Sequence, residues 1–339
     1  MGLFDDYIDN EMATRIWKKS NAIERRALRA TVNETNCLSR FRGWKTDEDK
    51  EKVLDALRNN RLYFSTARGY NDPYDTLMYV NQEKFIHNIM DSWQGMEKYV
   101  EKLKLKDFVL GSFAEAVATK SNPNLKDFQI KFLSEIYEDV ESVKKQIHEN
   151  IKGICFSENK LSSLMWAHYA NNHYGIALWY DKYELIGAKC YTKDHAECKS
   201  RFELEPVRYR DKRVDATEFV NAYILEKRRM RKGAERFDTE IEWPVVMLQT
   251  VKDIALTKDS SWSYEKEVRL IPKKLEFEAP SDASYIGIKP RAIVFGAKCE
   301  EQDRKEIVSI AKKLGDITLY EAYLRDDQSG YSVRYQEYE

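Results

Sequence analysis

The stretch Trp262-Ser263-Tyr264-Glu265-Lys266-Glu267-Val268-Arg269-Leu270-Ile271 decides how the fold is read. Its alternation predicts a β-strand, because successive side chains of a strand point to opposite faces. Trp262, Tyr264, Val268 and Leu270 then line one face, interrupted only by Lys266, and that face belongs against a core. Glu265, Glu267 and Arg269 share the other face, with successive members about 7 Å apart. Two carboxylates and a guanidinium in a row form either a ligand site or an ion-pair ladder. In a ligand site, one carboxylate stabilises a developing cation while its neighbour orients or deprotonates a nucleophile. In a ladder, the charges are an exposed strand surface that contributes little.

Further strands surround this one in the sequence. Upstream, Cys37–Arg42 and Arg61–Thr66 read as strands separated by a helix over Asp47–Asn60, which Thr46 can cap and whose Val53, Leu54 and Leu57 form one apolar stripe. Gly153–Ser157 and Tyr174–Tyr180 are strand-like, with a short helix over Leu161–Ala170 between them, and Pro206–Arg210 reads as another strand. Residues 215–256 are helical in pattern, broken at Trp243-Pro244. Downstream come strands at Ile286–Ile288 and Ala292–Gly296, a helix over Glu301–Leu314, a last strand at Ile317–Leu324 and a polar tail. Strands and helices mix without strict βαβ alternation, so the expected class is α+β with a mixed sheet core. We expect a single domain over 1–339, with its core in about 36–81 and 152–325. A helical insertion is expected over about 82–151 and an N-terminal helix over about 7–33.

Three further clusters carry side chains suited to ligands. Ser65 faces opposite to Phe64 on its strand, followed by Thr66 and the turn Asn71-Asp72-Pro73-Tyr74-Asp75, rich in side-chain oxygens. The same Asn and Asp residues also suit a loop that bonds its own backbone. Arg40 and Arg42 are same-face neighbours on the first strand, fit for bidentate contact with phosphate or carboxylate or for an ordinary surface. Trp166-Ala167-His168-Tyr169 with His173 suits ring stacking better than a metal, since the Asn171-Asn172 turn separates the two histidines and no carboxylates lie near them in sequence. Cys190, His195 and Cys198 lack the paired spacing of a zinc site. We expect no metal. A nuclease would need one held by Asp72, Asp75, Glu265 and Glu267, and would also need a broad basic surface.

Composition narrows the classes. A charged fraction of 33% against 42% hydrophobic is the balance of a soluble globular chain. Net charge is −1, and the basic run Lys227–Lys232 is short, so no nucleic-acid partner is indicated. No apolar run approaches the roughly 18 residues of a membrane span, and the first residues lack the charged and apolar regions of a signal peptide. Five widely spaced cysteines fit a reducing compartment, so the expected location is cytoplasmic. Phosphate-binding glycine loops, the nucleophile elbow and the His-Glu-x-x-His signature are absent, which leaves carboxylate-and-arginine chemistry.

Several blocks occur together in order: Asn71-Asp72-Pro73-Tyr74-Asp75, Cys155-Phe156-Ser157, Trp166–Ala170 with His173-Tyr174-Gly175, and Lys258 with Trp262–Arg269. In this the chain resembles the bacterial domain-of-unknown-function family 2971, over roughly residues 36–300. The order of a basic residue on a first strand, Ser on a second and Glu-x-Glu near a later one also resembles the Arg-Ser-Glu arrangement of ADP-ribosyltransferases. That resemblance implies an ADP-ribosyltransferase-like core. It also implies an NAD-consuming transferase or NAD glycohydrolase, suited to a bacterial toxin or phage-defence effector. It implies Glu267 as the carboxylate holding the nicotinamide ribose and Glu265 as the one addressing the acceptor. Arg40 or Arg42 would support the NAD phosphates, Ser65 with Thr66 would order the site, and Tyr63 or Tyr70 would stack on nicotinamide. Asn71, Asp72, His168, Tyr169 and Arg269 complete the expected binding residues. The implied partner is a small-molecule nucleotide, with a macromolecular acceptor of unstated kind. The alternative is a non-catalytic nucleotide- or ligand-sensing domain built on the same cleft.

Overall fold

The computed structural model describes residues 36–85, 88, 127–198, 200–231, 245–273, 284–324 and 333–338. The helix expected over 7–33 and much of the insertion lie outside the described residues. Strand β1 (Cys37–Arg42) occupies the middle of the main sheet and pairs along its whole length with β5 (Ile176–Asp181), from Cys37 opposite Asp181 to Arg42 opposite Ile176. Its other neighbour, β4 (Lys152–Ser157), meets it at one register pair only, Ser39 with Ser157. The opposite end of β4 is taken by the short strand β3 (Ser65–Thr66), with Ser65 opposite Gly153. Between these two pairings the edge of β4 faces neither strand, and the sheet is split there.

Helix α1 (Asp47–Arg58) follows β1. It begins where Thr46 accepts from the Asp49 N–H at 3.2 Å, and it has three acidic residues in its first turn, which suits the positive end of a helix. Strand β2 (Arg61–Tyr63) leads into β3. Helix α2 (Asp127–Asn150) is the longest described part of the insertion and is helical as expected. After β4 come α3 (Ser163–Tyr169), capped by Ser162, then β5 and α4 (Lys182–Gly187). Next are β6 (Cys190–Tyr191), β7 (Glu197–Cys198), β8 (Phe202–Pro206) and β9 (Arg208–Arg210). Helices α5 (Thr217–Arg231) and α6 (Val245–Ala255) precede β10 (Thr257–Asp259) and β11 (Glu267–Pro272). The chain continues through β12 (Tyr285–Gly287), β13 (Ala292–Phe295), α7 (Glu301–Leu314), β14 (Thr318–Leu324) and β15 (Val333–Glu337).

The main sheet runs β15-β14-β13-β5-β1-β4-β11-β8, with β3 also on β4. Only β13 and β14 are parallel among its pairs, so the sheet is mixed and the class is α+β. A second sheet orders β2-β12-β6-β7, and β9 pairs with β10 in parallel. Alternation distributes each strand between two cores. Leu38, Ile154, Phe156, Ile176, Leu178, Leu270 and Ile293 pack on one face with α1 and α7 residues. Cys37, Phe41, Ala177, Trp179 and Val294 pack on the other with Met165 and Trp166 of α3. A third core joins Met78 and Val80 to Val143 and Ile147 of α2, Phe219 and Val220 of α5, and Val251 and Ile254 of α6. Gly175 lets β5 approach β1 closely, because a Cβ there would meet the Arg42 carbonyl at 2.1 Å.

Four expectations change. Arg61–Thr66 is not one strand: it breaks at Phe64 into β2 of the second sheet and β3 beside β4. Pro206–Arg210 is not one strand: Val207 turns the chain from β8 in the main sheet to β9 beside β10. The polar tail contains β15, whose Val333 is fully buried on the second core. The strand expected over Trp262–Ile271 begins only at Glu267. Before it, Ser260–Glu265 form a 3₁₀ helix, started by the Asp259 carboxylate accepting from the Ser261 N–H and ended by Lys266 at φ 44°. Trp262 and Tyr264 therefore do not continue the apolar strand face.

Candidate functional site

The break in the strand does not scatter the charges. Lys266, in the left-handed region, returns the chain so that Glu265 and Glu267 both reach the ammonium of Lys258 on β10, which donates to them at 2.6 and 3.1 Å. Arg269 donates from Nε to Glu267 at 2.7 Å and from Nη2 to Asp75 at 2.6 Å. Its Nη1 donates to the Ala255 carbonyl at 2.6 Å. All five side chains are buried. This is an interior ion network and not the exposed ladder considered from the sequence. Removing one partner from such a network is far more costly than its surface equivalent.

The two glutamates end up in different states. Burial disfavours the charge of Glu267, but Arg269 and Lys258 outweigh it and hold the carboxyl well below its usual range. For Glu265 burial prevails over Lys258, and its pKa is raised. Burial also raises Asp75 despite Arg269. Glu265 accepts a hydrogen bond from the Tyr169 hydroxyl, which in turn accepts from Asn71 Nδ2 at 2.7 Å. Burial and that carboxylate push the Tyr169 hydroxyl far up, so it remains a donor.

In the split between β1 and β4 lies a cavity of about 300 Å³, at the lower end of small-molecule sites. Arg40, Arg42, Ser65, Asn71, Tyr169, Glu265 and Glu267, all singled out from the sequence, line it together. Thr66, Asp72, His168 and Arg269 do not. Asp72 is buried and uses Oδ1 to accept from the Tyr74 N–H at 2.9 Å, the local turn its sequence also suggested. His168 is exposed and packs on the Tyr264 ring, while Arg269 sits behind Glu267. Tyr63 packs against Tyr285 in the second sheet with their rings tilted, whereas Tyr70 lines the cavity.

Opposite the carboxylates in character stand Arg40 and Arg42. Arg40 donates to the Cys155 carbonyl at 2.9 Å, filling an acceptor that β1 would have satisfied in a continuous sheet. Neither arginine has a carboxylate partner among the described residues. Burial lowers the Arg40 pKa, and the charge of Arg40, followed by burial, lowers Arg42 to about 9. An anion placed between them would relieve the repulsion. Ser39 Oγ, Arg40 Nε, Tyr70 Oη and Asp75 Oδ1 are buried atoms of the same lining with no hydrogen-bond partner among the described residues. Buried polar groups are nearly always satisfied, so four unmet ones around one cavity point to a polar occupant.

Residues 165–270 match the model of a protein family described as "Protein of unknown function (DUF2971)". The resemblance to family 2971 is thus shown. The matched segment starts on α3 at Met165, on the cavity wall, and reaches Glu265 and Glu267, but leaves out β1, β3 and the Asn71–Asp75 loop. No curated protein and no solved structure matches the chain.

Lys258 was present in the sequence blocks yet not among the residues expected in the site, because nothing local shows that a lysine on a three-residue strand is buried against Glu265 and Glu267. Tyr70 and Asp75 stood in the right loop. Cys155 and Ser157 stood in one of the sequence blocks without a role in the site, and Ser39 carried no signal beyond strand periodicity.

Proposed function

We propose that the cavity binds a pyrophosphate-bearing nucleotide, with NAD as the substrate, and that it cleaves the bond between nicotinamide and ribose. The ADP-ribose passes to an acceptor or to water. The observation that carries this reading is one cavity with a buried and a half-buried arginine on one wall, neither with a carboxylate partner among the described residues, and two carboxylates of opposite pKa tendency on the other. Arginine pairs suit phosphate oxygens, and a carboxylate held ionised suits the positive charge that develops on the ribose. The nicotinamide-ribose end and its phosphates would occupy this cavity.

The bond from ribose C1′ to the ring nitrogen breaks with its electron pair going to the pyridinium, so nicotinamide leaves neutral and needs no acid. Glu267, kept anionic by Arg269 and Lys258, faces the developing cation. Glu265, whose pKa burial raises, takes the proton of the attacking hydroxyl or water as the new C1′ bond forms. Tyr169 and Lys258 hold its carboxylate in place. Depletion of NAD by such a reaction would suit a bacterial toxin or phage-defence effector.

Chromatography of NAD reactions with the purified chain tests the reading. Nicotinamide release is expected from the wild type, reduced about 100-fold or more by Glu267→Gln and by Arg42→Gln through weaker NAD binding. Absence of release by the wild type, or an unchanged rate in a folded Glu267→Gln variant, would overturn it. One observation favours the alternative of ligand sensing without turnover: both Glu267 oxygens are already engaged by Arg269 and Lys258. That alternative predicts that NAD raises the unfolding temperature while no nicotinamide appears.

A further inference from the structure

Lys258 also lines a second, larger cavity, of about 560 Å³. Its walls are the loop Arg210–Asp215 between β9 and α5, the segment Tyr74–Tyr79, and β10. Arg210, Lys212 and Arg213 are exposed, and none pairs with a carboxylate among the described residues. Asp211, Asp215 and Asp259 share the wall and balance their charge, but each is bonded to its own surroundings. Asp211 accepts from Ser260 Oγ at 2.5 Å, Asp215 from the Thr217 N–H at 3.0 Å, and Asp259 from the Ser261 N–H at 2.9 Å. The cations are therefore the groups with donors to spare.

Two aromatic rings accompany them. The Arg213 guanidinium lies 5.8 Å from the ring centroids of both Tyr74 and Tyr79. These rings are 61% and 42% exposed. The arrangement is fixed: the Tyr79 N–H donates to the Val214 carbonyl at 2.8 Å, and the Ala216 N–H donates to the Tyr79 carbonyl at 2.9 Å. Thr257 Oγ1, a buried hydroxyl of the same lining, has no hydrogen-bond partner among the described residues.

We propose that this cavity is a second ligand site, for a phosphorylated ligand carrying a planar ring, of the nucleoside monophosphate class. The phosphate would lie on Arg213, Arg210 and Lys212, and the ring on the open faces of Tyr74 and Tyr79. The inference does not depend on NAD cleavage in the first cavity. Lys258 forms part of both walls, so the two ligands would be neighbours.

Calorimetric titration of the full chain with AMP, adenosine and ribose 5-phosphate tests it. AMP is expected to bind more tightly than either fragment. Arg213→Gln and Lys212→Gln should each weaken AMP about tenfold, and Tyr74→Ala should weaken AMP while leaving ribose 5-phosphate unchanged. Lys212→Gln removes no side-chain hydrogen bond or ion pair among the described residues, so it serves as the variant least able to disturb folding. Arg42→Gln, in the first cavity, should leave AMP affinity unaltered. Absence of AMP binding at millimolar concentration would overturn the proposal. So would loss of binding in Arg42→Gln with retention in both Arg213→Gln and Lys212→Gln, which would put the ligand in the first cavity. NAD turnover, read separately, should survive Lys212→Gln.

Discussion

Glu265 and Glu267 are two residues apart, touch the same lysine, and differ in what their charges do for the fold. The carboxyl of Glu267 is depressed, so the stability it contributes is present above the ordinary glutamate pKa of about 4.3. That stability is lost as pH falls toward the folded value. Glu265 is raised, and the sign reverses: its contribution is fully present below the ordinary value and is lost as pH rises through the raised one. Replacing Glu267 by Gln should therefore cost about 3–5 kcal/mol at neutral pH, the range for breaking a buried pair, and should flatten the loss of stability below about pH 4. Glu265→Gln should cost less than about 2 kcal/mol, because it removes a charge that burial already disfavours. Urea unfolding of both variants between pH 3 and about pH 8 measures this. Equal costs at neutral pH, or an acid profile unchanged by Glu267→Gln, would contradict the assignment.

At the level of elements, the sequence was most legible where periodicity and capping agree. The helix over Glu301–Leu314 and the Thr46 cap of α1 were readable because both signals are local. The Trp262–Ile271 stretch was half readable: its alternation predicts a strand throughout, but the Asp259 cap on Ser261 starts a 3₁₀ helix of about three residues per turn that the alternation does not show. Its charge cluster still converged, through Lys266 and not through strand pleating. The gap between β1 and β4 had no sequence signal, because strand pairing is a long-range choice; yet it is the gap that puts Arg40, Ser65 and Glu267 around one space. Gly175 helps to set that geometry by bringing β5 against the Arg42 carbonyl. Gly175→Ala should lower stability by about 1–3 kcal/mol, the cost of overpacking, and should weaken ligand binding through displacement of Arg42. A urea midpoint unchanged from wild type would show that this close approach is dispensable.

Across the whole molecule, the ion network joins layers that pack separately. The loop around Asp75 continues into Met78 and Val80 of the helical core, and Thr76 Oγ1 lies 3.0 Å from His148 Nδ1 in the last turn of α2. Arg269 belongs to the sheet, but two of its three bonded nitrogens reach Asp75 and the Ala255 carbonyl at the end of α6. A single guanidinium thus ties β11 of the sheet to the loop and to the helical layer, while the sheet's own cores, around Leu178 and Trp179, make no use of it. Loss of one tie should release the helical layer first, since local opening follows the weakest set of contacts. Asp75→Ala is the sharpest test, because it leaves the Arg269 charge in place and removes a 2.6 Å bond. Hydrogen exchange should then quicken about tenfold or more in peptides covering α2 and α5, while β5 and β13 keep their protection. Uniform acceleration over all four would mean that the layers open as one unit, and no acceleration would mean that the third core holds the helices without the network.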